Sequence, residues 1–131
     1  MIAVLDTNVW LDWLVFDDPG VAAIRARVAQ SSLQIVATRS ARDELESVLD
    51  RSPIRERLGD RRAAALAEFD RLVRMADEPP GCGLPCRDPD DQVFIDLAVA
   101  CGADLLLTKD KALLALARMA ARGQRPSITI A

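Results

Sequence analysis

Two unbroken apolar runs mark the chain: Ile2 to Leu5, which stops on Asp6, and Leu105 to Leu107, which stops on Thr108. Runs without alternation predict strands buried on both faces of a parallel sheet. Between them the pattern takes a helical period. Asn8 to Phe16 is expected to be helical, with Thr7 or Asn8 as its cap. Pro19-Gly20 ends that segment. A second helix is expected over Val21 to Gln30, and a strand over Leu33 to Ala37. Ser40 opens a third helix to about Arg51, with Ser40-x-x-Asp43 as a capping box. After Pro53, Arg61 to Met75 reads as a longer amphipathic helix, with a short strand near Arg74 to Ala76.

Glu78 to Pro89 holds four prolines, two glycines and two cysteines, which predicts a loop. Asp88-Pro89 then opens a helix to Cys101, with Pro89 suited to its first position. The Leu105 run belongs to a strand over Asp104 to Thr108. A helix over Lys111 to Arg122, capped by Gly123, and a short strand over Ser127 to Ile130 complete the chain. Strands alternating with helices imply an α/β fold: one domain, residues 1–131, with a central parallel sheet of four or five strands and helices on both faces.

Composition narrows the chemistry. The chain has no histidine, so a serine–histidine mechanism, a histidine general base and histidine metal sites are excluded. Apolar residues make up 50% and charged residues 28%, as in an ordinary globular domain. No apolar run approaches the roughly 18 residues of a membrane span. No basic leader precedes the first strand, so a cytoplasmic location is expected. Cys82, Cys86 and Cys101 are then reduced thiols, and a Cys-x3-Cys pair alone is a weak zinc signal. The net charge is −3. That disfavours a nucleic-acid binder unless several acids share one metal site, in which case the remainder is slightly basic. Lys109 and Lys111 are the only lysines among 17 basic residues, so arginine dominates.

The placement of the acids points to such a site. Asp6 ends the first strand, where open α/β sheets bind ligands. Glu44 lies beside the apolar stripe of Ala41, Leu45, Val48 and Leu49, whereas Asp43 and Asp50 lie nearly opposite it. Asp91 points into the apolar arc of its helix, one turn from Phe94 and Ile95, and Asp96 occupies the polar gap. Asp110 follows the strand at Leu105. Each has a local alternative: a helix cap for Asp6, although Thr7 and Asn8 are better placed for it, a solvated flank for Glu44, a helix-dipole role for Asp91 and an N-cap for Asp110. Together they converge on one rim. Four carboxylates there would repel unless cations neutralised them. Oxygen donors suit Mg²⁺ or Mn²⁺, and metal-assisted hydrolysis of a phosphodiester is the chemistry such a site supports.

With these segments in place the chain resembles a PIN-domain ribonuclease. The resemblance rests on Val4-Leu5-Asp6-Thr7-Asn8, on Ser40 to Leu49 (SARDELESVL), and on Asp88 to Leu114 (DPDDQVFIDLAVACGADLLLTKDKALL). It is similar to the small bacterial PIN proteins that act as toxins of toxin–antitoxin pairs. The resemblance implies a Rossmann-like sheet, a carboxylate metal site and RNA cleavage. By position, Asp6, Glu44, Asp91 and Asp110 match the family's acidic metal site. Asn8 matches a polar residue that helps order the first acid, and Thr108 the hydroxyl before the last. Lys109 stands where relatives often carry a small or basic residue. A protein antitoxin and a homodimer are the partners implied.

Arg39, Arg42 and Lys109 are candidate phosphate-binding cations beside the acids. Arg51, Arg55, Arg57, Arg61 and Arg62 form a basic stretch that could grip phosphates or simply pair with Asp50, Glu56 and Asp60. Other classes fit less well. A phosphohydrolase of the haloacid-dehalogenase type, with Asp6 as nucleophile, needs a second aspartate where Asn8 stands. A receiver domain needs an early acidic pair and an aspartate after the second strand. A non-catalytic binding module would use Trp10, Trp13, Leu14 and Phe16 as a partner surface, although aromatics at helical spacing usually build core.

Overall fold

The apolar runs become strands. The computed structural model describes residues 1–81, 83, 92–109 and the backbone of 129–130. Its strands are β1 (Ile2–Leu5), β2 (Gln34–Thr38), β3 (Val73–Ala76), β4 (Leu105–Leu107) and β5 (Thr129–Ile130). They form one five-stranded sheet in the order β3-β2-β1-β4-β5. Every neighbouring pair is parallel. The helices are α1 (Thr7–Leu14), α2 (Ala22–Ala29), α3 (Arg39–Leu49), α4 (Ile54–Leu58), α5 (Arg62–Leu72) and α6 (Gln92–Ala100). The fold is therefore α/β, with the parallel sheet covered on both faces.

Strand side chains alternate between two cores, as a period of two requires. Ala3, Leu5, Ile35 and Ala37 enter one core with residues of α1, α3 and α5. Val4, Val36 and Leu106 enter the other with Phe94, Ile95, Leu97 and Ala98 of α6. The first core is the more aromatic. Trp10 packs on Phe69 with ring centroids 4.6 Å apart, and on Trp13 at 5.7 Å. Phe69 is fully buried, and burial of such a side chain contributes about 1.5–3 kcal/mol. Trp10, Trp13 and Leu14 are all buried, so the aromatic group is core rather than an open partner surface; only Phe16 is exposed.

Helix starts differ from expectation in one consistent way. α1 is capped by Asp6, not by Thr7 or Asn8. α3 is capped by Thr38, not by Ser40. Thr38 is the last residue of β2 and Asp6 the first after β1, so each strand passes into its helix without a loop. The expected Ser40–Asp43 capping box does not form. Ser40 instead bonds Glu78, through its N–H at 2.8 Å and its hydroxyl at 2.9 Å, and Asp43 pairs with Arg39.

Other boundaries shift for reasons of pairing. β2 begins one residue later than expected because Gln34 pairs with Ile2. The long helix ends at Leu72, and Val73–Ala76 joins β2 as a strand, so pairing overrides the helical pattern that ran to Met75. A single 3₁₀ turn, Pro19–Val21, precedes α2. The short α4 directly follows Pro53, where the proline predicts only a break. The expected helix over Lys111 to Arg122 lies outside the described residues. Among those described, no helix is long and apolar enough to cross a membrane.

Candidate active site

The strand order places the site. From β1 the chain moves outward to β2 and β3, and from β4 it moves the other way to β5. The direction reverses between β1 and β4, where open sheets leave a crevice beyond the carboxyl ends of the strands. Asp6 and Thr108 are the first residues past those two ends. The pairing of Leu5 with Leu107 sets them side by side, and the Asp6 N–H donates to the Leu107 carbonyl at 3.0 Å.

Asp6 is only 2% exposed. Burial of a carboxylate is costly unless it is hydrogen-bonded, and this one is held on both oxygens. Oδ1 accepts from the Val9 N–H at 2.9 Å, the N-cap bond of α1. Oδ2 accepts from the Thr108 hydroxyl. The positive end of the α1 dipole adds to its stabilisation. Among the described residues the buried polar side chains are Asp6, Thr38 and Thr108. All three stand where a strand meets this rim, and helices α1 and α3 both start there. The sequence placed Thr108 by resemblance alone; its bond to Asp6 emerges from strand pairing.

Glu44 reaches the same rim from α3. It is half-buried, and its Oε2 accepts from the Thr7 hydroxyl at 3.0 Å. Thr7 directly follows Asp6, so the start of α1 ties two of the four expected acids to one place. Asn8 is exposed on the first turn of α1, and Val9 and Thr108 are among the groups that bond Asp6. Asp91 and Asp110 lie outside the described residues. Asp96, the polar-gap acid, accepts from the Gln92 amide at 3.0 Å.

The candidate cations are all paired. Arg39 meets Asp43 at 3.2 Å. Arg42 grips Asp70 with two bonds, 2.7 and 3.0 Å, and reaches Glu46 at 3.2 Å. The hydrogen bond with Asp70 raises the Arg42 pKa and lowers that of Asp70. Lys109 meets Asp12 at 2.9 Å, and that bond raises the lysine's pKa. In the basic stretch, Arg62 pairs with Asp50 at 2.7 Å. Asp12, Asp70 and Glu78 were not singled out in the sequence. Each finds its partner across a gap of dozens of residues, which local pattern does not reveal.

The donors at the rim are hard carboxylate and hydroxyl oxygens, which fit Mg²⁺ or Mn²⁺ and not a soft metal. Among the described residues no three potential ligands form a metal group; Asp6 and Glu44 are the described part of the expected four. Cys101 is half-buried, and burial pushes its thiol up, which keeps it protonated. Cys82 and Cys86 lie outside the described residues. A cavity of about 470 Å³ opens beside the site, lined by Val9, Asp12, Val21, Leu107, Thr108 and Lys109 among others. A larger groove, about 600 Å³, lies away from the carboxylates between α1, α2 and α5, with Trp13, Leu14, Arg25, Val28, Arg61 and Leu72 in its walls.

Comparison with known proteins agrees with this geometry. A search of curated proteins found no significant sequence match. Among solved structures, the fold is similar to the crystal structure of VapBC2 from Rickettsia felis bound to a DNA fragment from their promoter. The TM-score is 0.67 at 16% identity, over 100% of this chain and 98% of that one. The family model described as PIN domain matches residues 3–112. That span contains the whole carboxyl rim, from Asp6 to Thr108, and the chain belongs to the PIN-domain family.

Proposed function

We propose that the protein is a metal-dependent nuclease that hydrolyses RNA phosphodiester bonds, and that it is the toxin of a toxin–antitoxin pair. The observation that carries the nuclease reading is Asp6: a buried carboxylate, held on both oxygens, at the switch point of a parallel sheet, with Glu44 tied to the next residue. Asp6 and Glu44, with Asp91 and Asp110, would hold Mg²⁺ or Mn²⁺. Such an ion, when bound, supplies Lewis acidity for attack of water on the phosphodiester. The chain's own residues supply the orientation. The α1 cap and the Thr108 hydroxyl fix the Asp6 carboxylate, and the Thr7 hydroxyl fixes one oxygen of Glu44.

The toxin reading is supported by the resemblance to small bacterial PIN toxins and by the full-length likeness to VapBC2. A protein antitoxin and a homodimer are the partners proposed. The groove between α1, α2 and α5 is the candidate seat of an antitoxin segment, with Trp13 in its wall and Trp10 beneath it in the core. Arg25 in its wall pairs with Asp17 and Arg71 with Glu68, while Arg61 also lines it, a partly apolar surface that suits an amphipathic segment.

The test is cleavage of RNA by purified protein with Mg²⁺, with Mn²⁺ and with EDTA, beside an Asp6→Asn control. Cleavage should require either ion and vanish in the control. Undiminished cleavage in EDTA would overturn the metal reading. Expression alone should slow bacterial growth; normal growth at high levels of folded protein would overturn the toxin role and leave the nuclease standing.

A further inference from the structure

We infer that Thr7 is the positioning residue for Glu44, so that the first turn of α1 orders two carboxylates with consecutive residues. Asp6 is fixed as the cap of that turn. Thr7, at its first helical position, is half-buried, and its hydroxyl donates to Glu44 Oε2 at 3.0 Å. Glu44 sits mid-way along α3, with Ala41 and Leu45 buried on either side of it, and three torsions separate its carboxylate from the backbone. A long side chain of that kind loses up to about 1.5–2 kcal/mol of rotamer freedom when fixed. The Thr7 hydroxyl holds one oxygen and so leaves the orientation of the other defined before any ligand arrives. This rests on the proposed metal site, because positioning matters only if Glu44 has a ligand to meet.

Outer partners of metal ligands are typically worth about 10–100-fold in metal affinity. The substitution T7V keeps the β-branched shape and deletes the donor; T7S keeps the donor. The measurement is Mn²⁺ binding by calorimetry on the full chain, with the Mn²⁺ concentration for half-maximal RNA cleavage alongside. T7V should weaken binding about 10-fold and shift half-maximal activation by a similar factor, and T7S should restore both to near the parent. If T7V disturbs folding, as thermal melting would show, T7A provides the same deletion without a branched side chain. Mn²⁺ affinity unchanged in the folded variant would overturn the inference, as would T7S failing to restore it. A parent protein that binds no Mn²⁺ would instead sink the metal reading itself, a different outcome from a binding parent with an indifferent Thr7.

Discussion

Two aspartates meet the same pair of strands from opposite ends. Asp104 precedes β4; its N–H donates to the Ile2 carbonyl and its Oδ2 accepts from the Ile2 N–H, each at 2.8 Å. Asp6 follows β1; its N–H donates to the Leu107 carbonyl and its Oδ2 accepts from the Thr108 hydroxyl. The residue type and the strand pair are the same. The surroundings are not. Asp104 is exposed and completes the ladder where water could do so. Asp6 is buried at the rim where α1 and α3 begin, and Thr38 and Thr108 are buried beside it. A carboxylate withdrawn from water must be compensated by fixed dipoles, and only the carboxyl rim, with its helix starts and hydroxyls, offers them. That difference separates an aspartate that closes a sheet from a buried one held in place at the rim of the proposed metal site.

The largest effect should come from exchanging each aspartate for asparagine. Asn caps a helix as well as Asp, so Asp6→Asn should fold with a melting temperature near that of the parent. Its RNA cleavage at saturating Mg²⁺ should fall by more than about 100-fold, because loss of a ligand exceeds loss of its supporting partner. Asp104→Asn should cleave like the parent. Equal activity in the two variants would erase the functional distinction between the rims.

A second pair of substitutions extends the comparison to α6. Asp91 lies outside the described residues, and its proposed role stands on the helix expected from the sequence, which would set Asp91 and Asp96 about 140° apart around the axis. Asp91→Asn should lower the cleavage rate on the order of 100-fold. Asp96, bonded to Gln92, should tolerate Asn with little change. A dead Asp96→Asn enzyme beside an active Asp91→Asn would reverse the assignment.

Much of the rim was legible in the sequence because it follows from runs and faces. Val4-Leu5 and Leu105 to Leu107 had to be buried strands, so Asp6 had to end one, and the stripe through Ala41 and Leu45 put Glu44 beside the sheet. The caps were not legible. Thr7 and Asn8 looked better placed than Asp6, and Ser40 better than Thr38, because nothing local shows that a strand passes into a helix with no intervening loop. Nor was the partnership of Asp6 with Thr108, which depends on pairing across 102 residues. Arg42 looked like a free cation near the acids, and only the packing of α3 on α5 reveals Asp70 against it.

A smaller effect should separate support from ligation. Thr108→Val keeps the buried shape and removes the hydroxyl that Asp6 accepts from. Leaving a buried acceptor short of a donor costs about 1–3 kcal/mol, so urea unfolding should show a loss in that range. Mn²⁺ affinity should fall about 10-fold, less than for Asp6→Asn. At the amino rim, Asp104→Ala removes an exposed bond and should cost about 0.5–1.5 kcal/mol or less, with Mn²⁺ affinity unchanged. A Thr108→Val protein as stable as the parent would show that the hydroxyl is not needed to keep Asp6 buried.

The smallest effect is expected from Asp70, which belongs to neither rim. It accepts two bonds from Arg42 and links α3 to α5. The pair is partly exposed, with side-chain exposures of 19% for Arg42 and 47% for Asp70. Solvent therefore screens it, and Asp70→Asn should cost roughly 0.2–1 kcal/mol at neutral pH. Arg42 holds the Asp70 carboxyl below its usual range. The unfolded chain lacks that partner, so the contribution is present above the ordinary carboxylate range and is lost as pH falls through the lowered value. The guanidinium stays charged throughout. The stability gap between parent and Asp70→Asn, measured by urea unfolding, should thus shrink on acidification, while RNA cleavage per folded molecule stays the same. A cleavage rate that fell with Asp70→Asn would instead mean that Arg42, once its partner is altered, acts at the carboxyl rim.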